Sequence, residues 1–143
     1  MKQNLKWILA TVFVGIGMLA LVLNAFAQEK EKRLRVGYSA ICVDVQDREP
    51  VGVDTTFNSD VGFLFCFTRI EGAADSTSVT HAWYYGDSKM AEITLPVKSA
   101  RWRTYSKKQI LPQHTGKWNV VVLSEAGDPL AQMSFFIKPA QTE

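Results

Sequence analysis

Hydrophobic and polar positions along this chain follow two regimes. Ile8 to Leu23 holds no charged residue, whereas beyond Leu34 the apolar residues come in short runs rich in Val, Ile, Phe, Tyr, Trp and Thr. Clusters of Gly, Pro, Asp, Asn and Ser break those runs, which is strand and turn punctuation. It predicts strands at Arg35 to Val45, Val61 to Arg69, Ser78 to Tyr85, Met90 to Val97, Arg101 to Ser106, Lys117 to Ser124 and Leu130 to Lys138. Gly86-Asp87-Ser88-Lys89 and Glu125-Ala126-Gly127-Asp128-Pro129 have hairpin-turn chemistry and fix antiparallel neighbours. Pro96 lacks a ladder donor and sets the fourth strand at an edge or ends it early. No stretch carries a helical period. About seven short strands over 34–143 predict an all-β domain, an immunoglobulin- or fibronectin-III-like antiparallel sandwich rather than a closed barrel.

Alternation within the strands predicts their faces. Trp118, Val120 and Val122 form one inward face, as do Ala131, Met133, Phe135 and Ile137 against the outward Gln132 and Ser134. Val61 to Phe67 is apolar on both faces, which predicts a strand in the middle of its sheet with cover on both sides.

The amino-terminal apolar run has its own reading. Lys2 and Lys6 precede it and Ala25-Phe26-Ala27 follows, the three-part form of a secretory signal cut after Ala27. The alternative is an uncleaved membrane anchor, since the run approaches the roughly 20 residues that a spanning helix needs. Either way the two lysines favour a cytoplasmic amino terminus, so the folded part is expected in the periplasm or secreted, or anchored to the inner membrane and facing the periplasm. Glu29-Lys30-Glu31-Lys32-Arg33 reads as a charged spacer over 28–33. The net charge of +2 falls to zero without Lys2 and Lys6, which argues against a nucleic-acid binder.

Two cysteines, Cys42 and Cys66, lie in the exported part, where disulfides persist, and a bridge between them is the expectation. Two buried thiols are the alternative. With no C-x-x-C and no His cluster, no metal or cofactor is expected. Asp44, Asp47 and Asp54 near Glu49 read as solvated acids rather than a calcium site.

Two blocks stand out as candidate chemistry. In Thr80-His81-Ala82-Trp83-Tyr84-Tyr85, His81, Trp83 and Tyr85 share a face and can form a stacking platform at a strand end. The plainer reading makes Trp83 a core tryptophan, with His81 hydrogen-bonded nearby and a tyrosine at the rim. In Arg101-Trp102-Arg103-Thr104-Tyr105-Ser106-Lys107-Lys108, alternation puts Arg101, Arg103 and Tyr105 on one side. No acidic residue lies between Glu92 and Glu125, so a neutral domain carries one cationic stretch. Guanidinium forks bind carboxylate and phosphate. The competing role is an edge strand whose charges prevent edge-to-edge pairing. The inventory of catalytic motifs is empty: no nucleophile elbow, H-E-x-x-H, Walker loop or G-x-G-x-x-G is present, and His81 and His114 have no partner at a meaningful spacing.

Cys42, Arg48-Glu49-Pro50, Cys66-Phe67-Thr68, His81-Ala82-Trp83-Tyr84-Tyr85, Arg101-Trp102-Arg103-Thr104-Tyr105-Ser106 and Gly116-Lys117-Trp118-Asn119-Val120 together resemble the bacterial family catalogued as domain of unknown function 2914. The resemblance runs from about Val36 to Ile137. It implies a small β domain attached to a membrane segment or secretion signal, and it implies no activity.

The expectation is therefore a non-catalytic envelope binding or accessory module. Its candidate ligand residues are His81, Tyr85, Arg101, Arg103, Tyr105 and Lys107. Its candidate partners are an envelope protein, an acidic polysaccharide or a lipid headgroup, with no nucleic acid, and with the membrane engaged only through an uncleaved amino-terminal segment. A structural protein that pairs with a partner by strand addition is the alternative, and an enzyme of unrecognised type is the third reading.

Overall fold

Alternating β-branched and aromatic residues give ten strands in the computed structural model, which describes residues 21, 22 and 33–141. They are β1 (Arg35–Cys42), β2 (Asp44–Gln46), β3 (Glu49–Val51), β4 (Thr56–Asn58), β5 (Phe63–Glu71), β6 (Thr77–Tyr85), β7 (Ser88–Val97), β8 (Arg101–Gln109), β9 (Gly116–Ser124) and β10 (Pro129–Lys138). A three-stranded sheet has the order β1-β5-β8, a five-stranded sheet the order β4-β10-β9-β6-β7, and β2 pairs with β3 alone. All pairings are antiparallel except β4 with β10. The seven expected strands are all present.

The signal and spacer readings fall almost wholly outside the described residues. Of residues 1–33, Leu21 and Val22 are helical and Arg33 is exposed. No helix among the described residues is long and apolar enough to cross a membrane.

The two larger sheets bury their facing sides against each other. Ile41, Leu64 and Cys66 of the small sheet pack with Trp83, Trp118, Val120, Phe135 and Ile137 of the large one. Trp118 lies parallel to the Phe135 ring, with centroids 5.9 Å apart. A second cluster of Ile70, Val79, Val97 and Val122 closes the other end. Trp118, Val120 and Val122 are fully buried, as their alternation predicts. β7 is an edge strand, as Pro96 requires. Gly86 turns the β6–β7 hairpin with φ of 55°, a conformation that costs a glycine little.

Three features differ from the sequence expectation. The first predicted strand ends at Cys42, after which the chain doubles back as the β2–β3 hairpin. Its turn residues, Asp47 and Arg48, sit at φ of 50° and 63°. Two adjacent left-handed residues make the turn that suits a two-residue hairpin, here without glycine. β5 is central in its sheet, but only one face is covered by another sheet. On its outer face Phe67 is buried beneath neighbouring side chains, Phe65 is partly covered and Phe63 is exposed.

The expected Cys42–Cys66 disulfide does not form, and both thiols are free and buried. Cys66 stands opposite Ile41, and Cys42 opposite Phe65. One residue of offset on paired strands sends the two side chains to opposite faces of the sheet, Cys66 into the core and Cys42 outward. Burial pushes both thiols above their usual range.

Candidate functional site

The outer face of the three-stranded sheet is laid out by register. Arg35, Glu71 and Arg101 form one row, and Tyr38, Arg69 and Arg103 the next. Ala40, Phe67 and Tyr105 follow, and then Cys42, Phe65 and Lys107. Side chains in one row stand on the same side of the sheet, and successive rows are about 7 Å apart. Cationic side chains are thus concentrated at one end of the face and aromatic ones at the other.

The aromatic end is built from edge-to-face contacts. Tyr38 meets Phe67 with centroids 6.1 Å apart, and Phe65 meets Tyr105 at 5.8 Å. Lys107 lies over Phe63, its Nζ 4.1 Å from the ring centroid and 5.6 Å from that of Phe65. An ammonium over a ring is attracted by the π face. Tyr105, at 48% exposure, and Phe63, at 43%, remain open to solvent.

The cationic end is partly compensated. Glu71 accepts from Arg35 at 3.1 Å and from Arg69 at 3.0 Å, and Arg103 pairs with Glu49 of the β2–β3 hairpin at 2.8 Å. Arg48, Arg101 and Arg103 line a cleft of about 240 Å³. Among the described residues no carboxylate other than Glu49 lies within 4.0 Å of these three guanidiniums.

The structure brings together Arg101, Arg103, Tyr105 and Lys107 of the predicted site residues and separates His81 and Tyr85 from them. β8 is also an edge strand, which agrees with the charge-protected alternative. His81 belongs to the interior: it is fully buried between the sheets. Its ring joins a hydrogen-bonded chain whose direction is fixed by stoichiometry. Thr68 Oγ1 donates its one proton to the Thr104 carbonyl at 3.3 Å, so at 3.2 Å His81 Nε2 donates to Thr68. His81 Nδ1 then accepts from Ser106 Oγ at 2.8 Å, and Ser106 Oγ accepts from Trp83 Nε1 at 3.0 Å. Every member is satisfied with a neutral imidazole. Burial pushes the His81 pKa down to about 4. This is the packing arrangement, with Trp83 as a core tryptophan, rather than a surface platform.

Tyr85 lies at the rim of the interior. Its hydroxyl donates to the Thr115 carbonyl at 2.7 Å, and its ring is 5.1 Å from both His114 and Trp118. The acids of the first loop serve its turns. Asp44 accepts from Val45 N and Gln46 Nε2, and Asp54 from Thr55 N and Thr56 N. The Gln46 bond, followed by that from Val45, holds the Asp44 carboxyl below its usual range. Among the described residues no group of His, Cys, Asp and Glu is placed to hold a metal.

Sequence reasoning did not identify Arg48, Arg69, Tyr38 or Phe65 as site residues. Phe65 was readable as an outward position once β5 was known to have one bare face. Arg48 reaches β8 only through the hairpin turn, for which the sequence offers no glycine signal.

A search of the curated proteins finds no match to the chain. The model of the family described as protein of unknown function (DUF2914) matches residues 76–137. This span holds the His81 to Tyr85, Arg101 to Ser106 and Gly116 to Val120 blocks, while the Cys42, Arg48 to Pro50 and Cys66 to Thr68 blocks lie before it. Over residues 76–137, from the start of β6 almost to the end of β10, the chain is thus similar to DUF2914, the family that its sequence blocks resemble.

Proposed function

We propose that this domain is an immunoglobulin- or fibronectin-III-like sandwich that acts as a non-catalytic binding module for an anionic ligand. The fold reading is supported by the strand orders β1-β5-β8 and β7-β6-β9-β10 and by the buried Trp83 on β6, the counterpart of the core tryptophan of such sandwiches. The functional reading is carried by one observation: Arg101, Arg103, Tyr105 and Lys107 stand on a single sheet face beside Tyr38 and Phe65. Guanidiniums bind oxyanions bidentately, and exposed rings next to them take the ligand's apolar or sugar-ring surface. The amino-terminal charge and hydropathy pattern supports a periplasmic or secreted location, or an inner-membrane anchor with the domain outside.

The test is retention of the full chain on immobilised dextran sulfate, an acidic peptide or phosphatidylglycerol vesicles, each against an uncharged counterpart. Salt-sensitive retention on at least one, lost in the Arg101→Gln/Arg103→Gln double variant, is the expected result. Retention that the double variant leaves unchanged contradicts the reading.

The position of β8 at a sheet edge favours a second reading, in which a partner strand pairs along it. In that case a proline placed at an outward-facing backbone N–H of β8 abolishes partner capture, and the arginine variants do not.

A further inference from the structure

We infer that the cleft between the β2–β3 turn and β8 is a site for a phosphomonoester dianion, with Arg48, Arg101 and Arg103 as its three guanidinium ligands. This assignment rests on the anionic-ligand reading above and specifies its chemical class. Three exposed guanidiniums line one cleft of about 240 Å³; Glu49 pairs with Arg103, while Glu71, the cross-strand neighbour of Arg101, is engaged by Arg35 and Arg69 instead. Among the described residues Arg48 and Arg101 have no carboxylate within 4.0 Å, and like charges gathered at one cleft repel. A phosphomonoester carries about −1.5 to −2 at neutral pH with three acceptor oxygens, whereas a carboxylate carries a single charge. A sulfate ester likewise carries one. Of the three groups the dianion offsets the most of this positive charge, and planar guanidinium forks supply paired donors to a tetrahedral group.

The position of Arg48 agrees with this assignment. It occupies the left-handed region at φ of 63°, which few residues other than Gly, Asn and Asp adopt, and the turn it makes carries its side chain to the two β8 arginines. The remainder of the ligand has a platform of its own. Tyr105 follows Arg103 by two residues on the same face, about 7 Å along the strand, and its exposed ring continues into Phe65 and Phe63. A phosphorylated sugar or the phosphate end of a lipid fits that sequence of charge followed by ring.

The experiment is calorimetric titration of the full chain with glucose 6-phosphate, glucose 6-sulfate and glucuronate, and flotation with phosphatidylcholine vesicles with or without phosphatidic acid. Glucose 6-phosphate is expected to bind at least tenfold more tightly than the other two sugars. Binding to the vesicles only when phosphatidic acid is present identifies a lipid source of the phosphate, and binding to the sugar alone a soluble one. Arg48→Asn keeps a residue that accepts the left-handed turn and removes the guanidinium, and Arg101→Gln leaves β8 unaltered. Each is expected to weaken phosphate binding about tenfold and to narrow its margin over sulfate. Equal affinity for the three sugars, lost in Arg101→Gln/Arg103→Gln, overturns the dianion assignment and leaves the anionic-ligand reading standing. No binding of any anion overturns both.

Discussion

His81 Nδ1 accepts a hydrogen bond from Ser106 Oγ across the sheet interface, at 2.8 Å. Ser106 lies directly between Tyr105 and Lys107, so the same strand that closes the buried chain presents the exposed face. The neutral ring is the form that the chain accommodates. A second ring proton would point at Ser106 Oγ, which already receives Trp83 Nε1. With the folded pKa at about 4 and the unfolded value near 6.5, the unfolded chain binds more protons in this window. Stability is therefore fully held above pH 6.5 and lost as the pH falls toward 4, by about 3 kcal/mol for this group. Urea unfolding at pH 7 and pH 4.5 measures the loss. His81→Phe is expected to flatten the difference, and an unchanged slope would show that other groups cause it.

Ser106→Ala removes one hydroxyl and orphans two buried groups, Trp83 Nε1 and His81 Nδ1. Each orphan costs about 1 to 3 kcal/mol, so the variant is expected to lose several kcal/mol by urea unfolding. Ser106→Thr retains the hydroxyl and is expected to recover part of the loss.

Cys42 and Cys66 sit on opposite faces of their sheet and are both enclosed. Thiol titration of native protein purified under air is expected to find neither reactive within minutes, and both reactive in guanidinium. Failure to find two thiols in the unfolded protein would mean a bridge. Burial raises both pKa values, which slows air oxidation in the folded state.

Glu49→Gln removes the carboxylate from Arg103 without touching the core. An exposed pair of this kind contributes about 0 to 1 kcal/mol, so stability is expected to stay nearly constant. Anion affinity is expected to rise severalfold, because the cleft gains a positive charge. Weaker anion binding in this variant would mean that Glu49 holds Arg103 in its binding position.

Much of the fold was legible in the sequence because alternation reports burial strand by strand. Trp118, Val120 and Val122 face inward, and Arg101, Arg103 and Tyr105 face outward, as their spacing requires. Alternation does not say which side of a strand meets another sheet. It grouped His81 with Trp83 correctly but could not tell that their common side is the interior. Nor does it give register, and a single position of register separates a Cys42–Cys66 bridge from two isolated thiols. The β2–β3 hairpin escaped notice because Asp47 and Arg48 make its turn in place of the Asn-Gly or Gly-Gly pair that normally signals one. Arg48 was hidden for the same reason.

The central claim is that the outer face of the three-stranded sheet recognises anions. Its most direct test is the mapping of backbone amide shifts in the full chain during titration with glucose 6-phosphate. Changes concentrated at Arg48, at Phe65 to Arg69 and at Arg101 to Lys107 are the predicted result. Changes concentrated instead on the outward residues of the five-stranded sheet, such as Thr80, Thr94, Gln132 and Ser134, would contradict it.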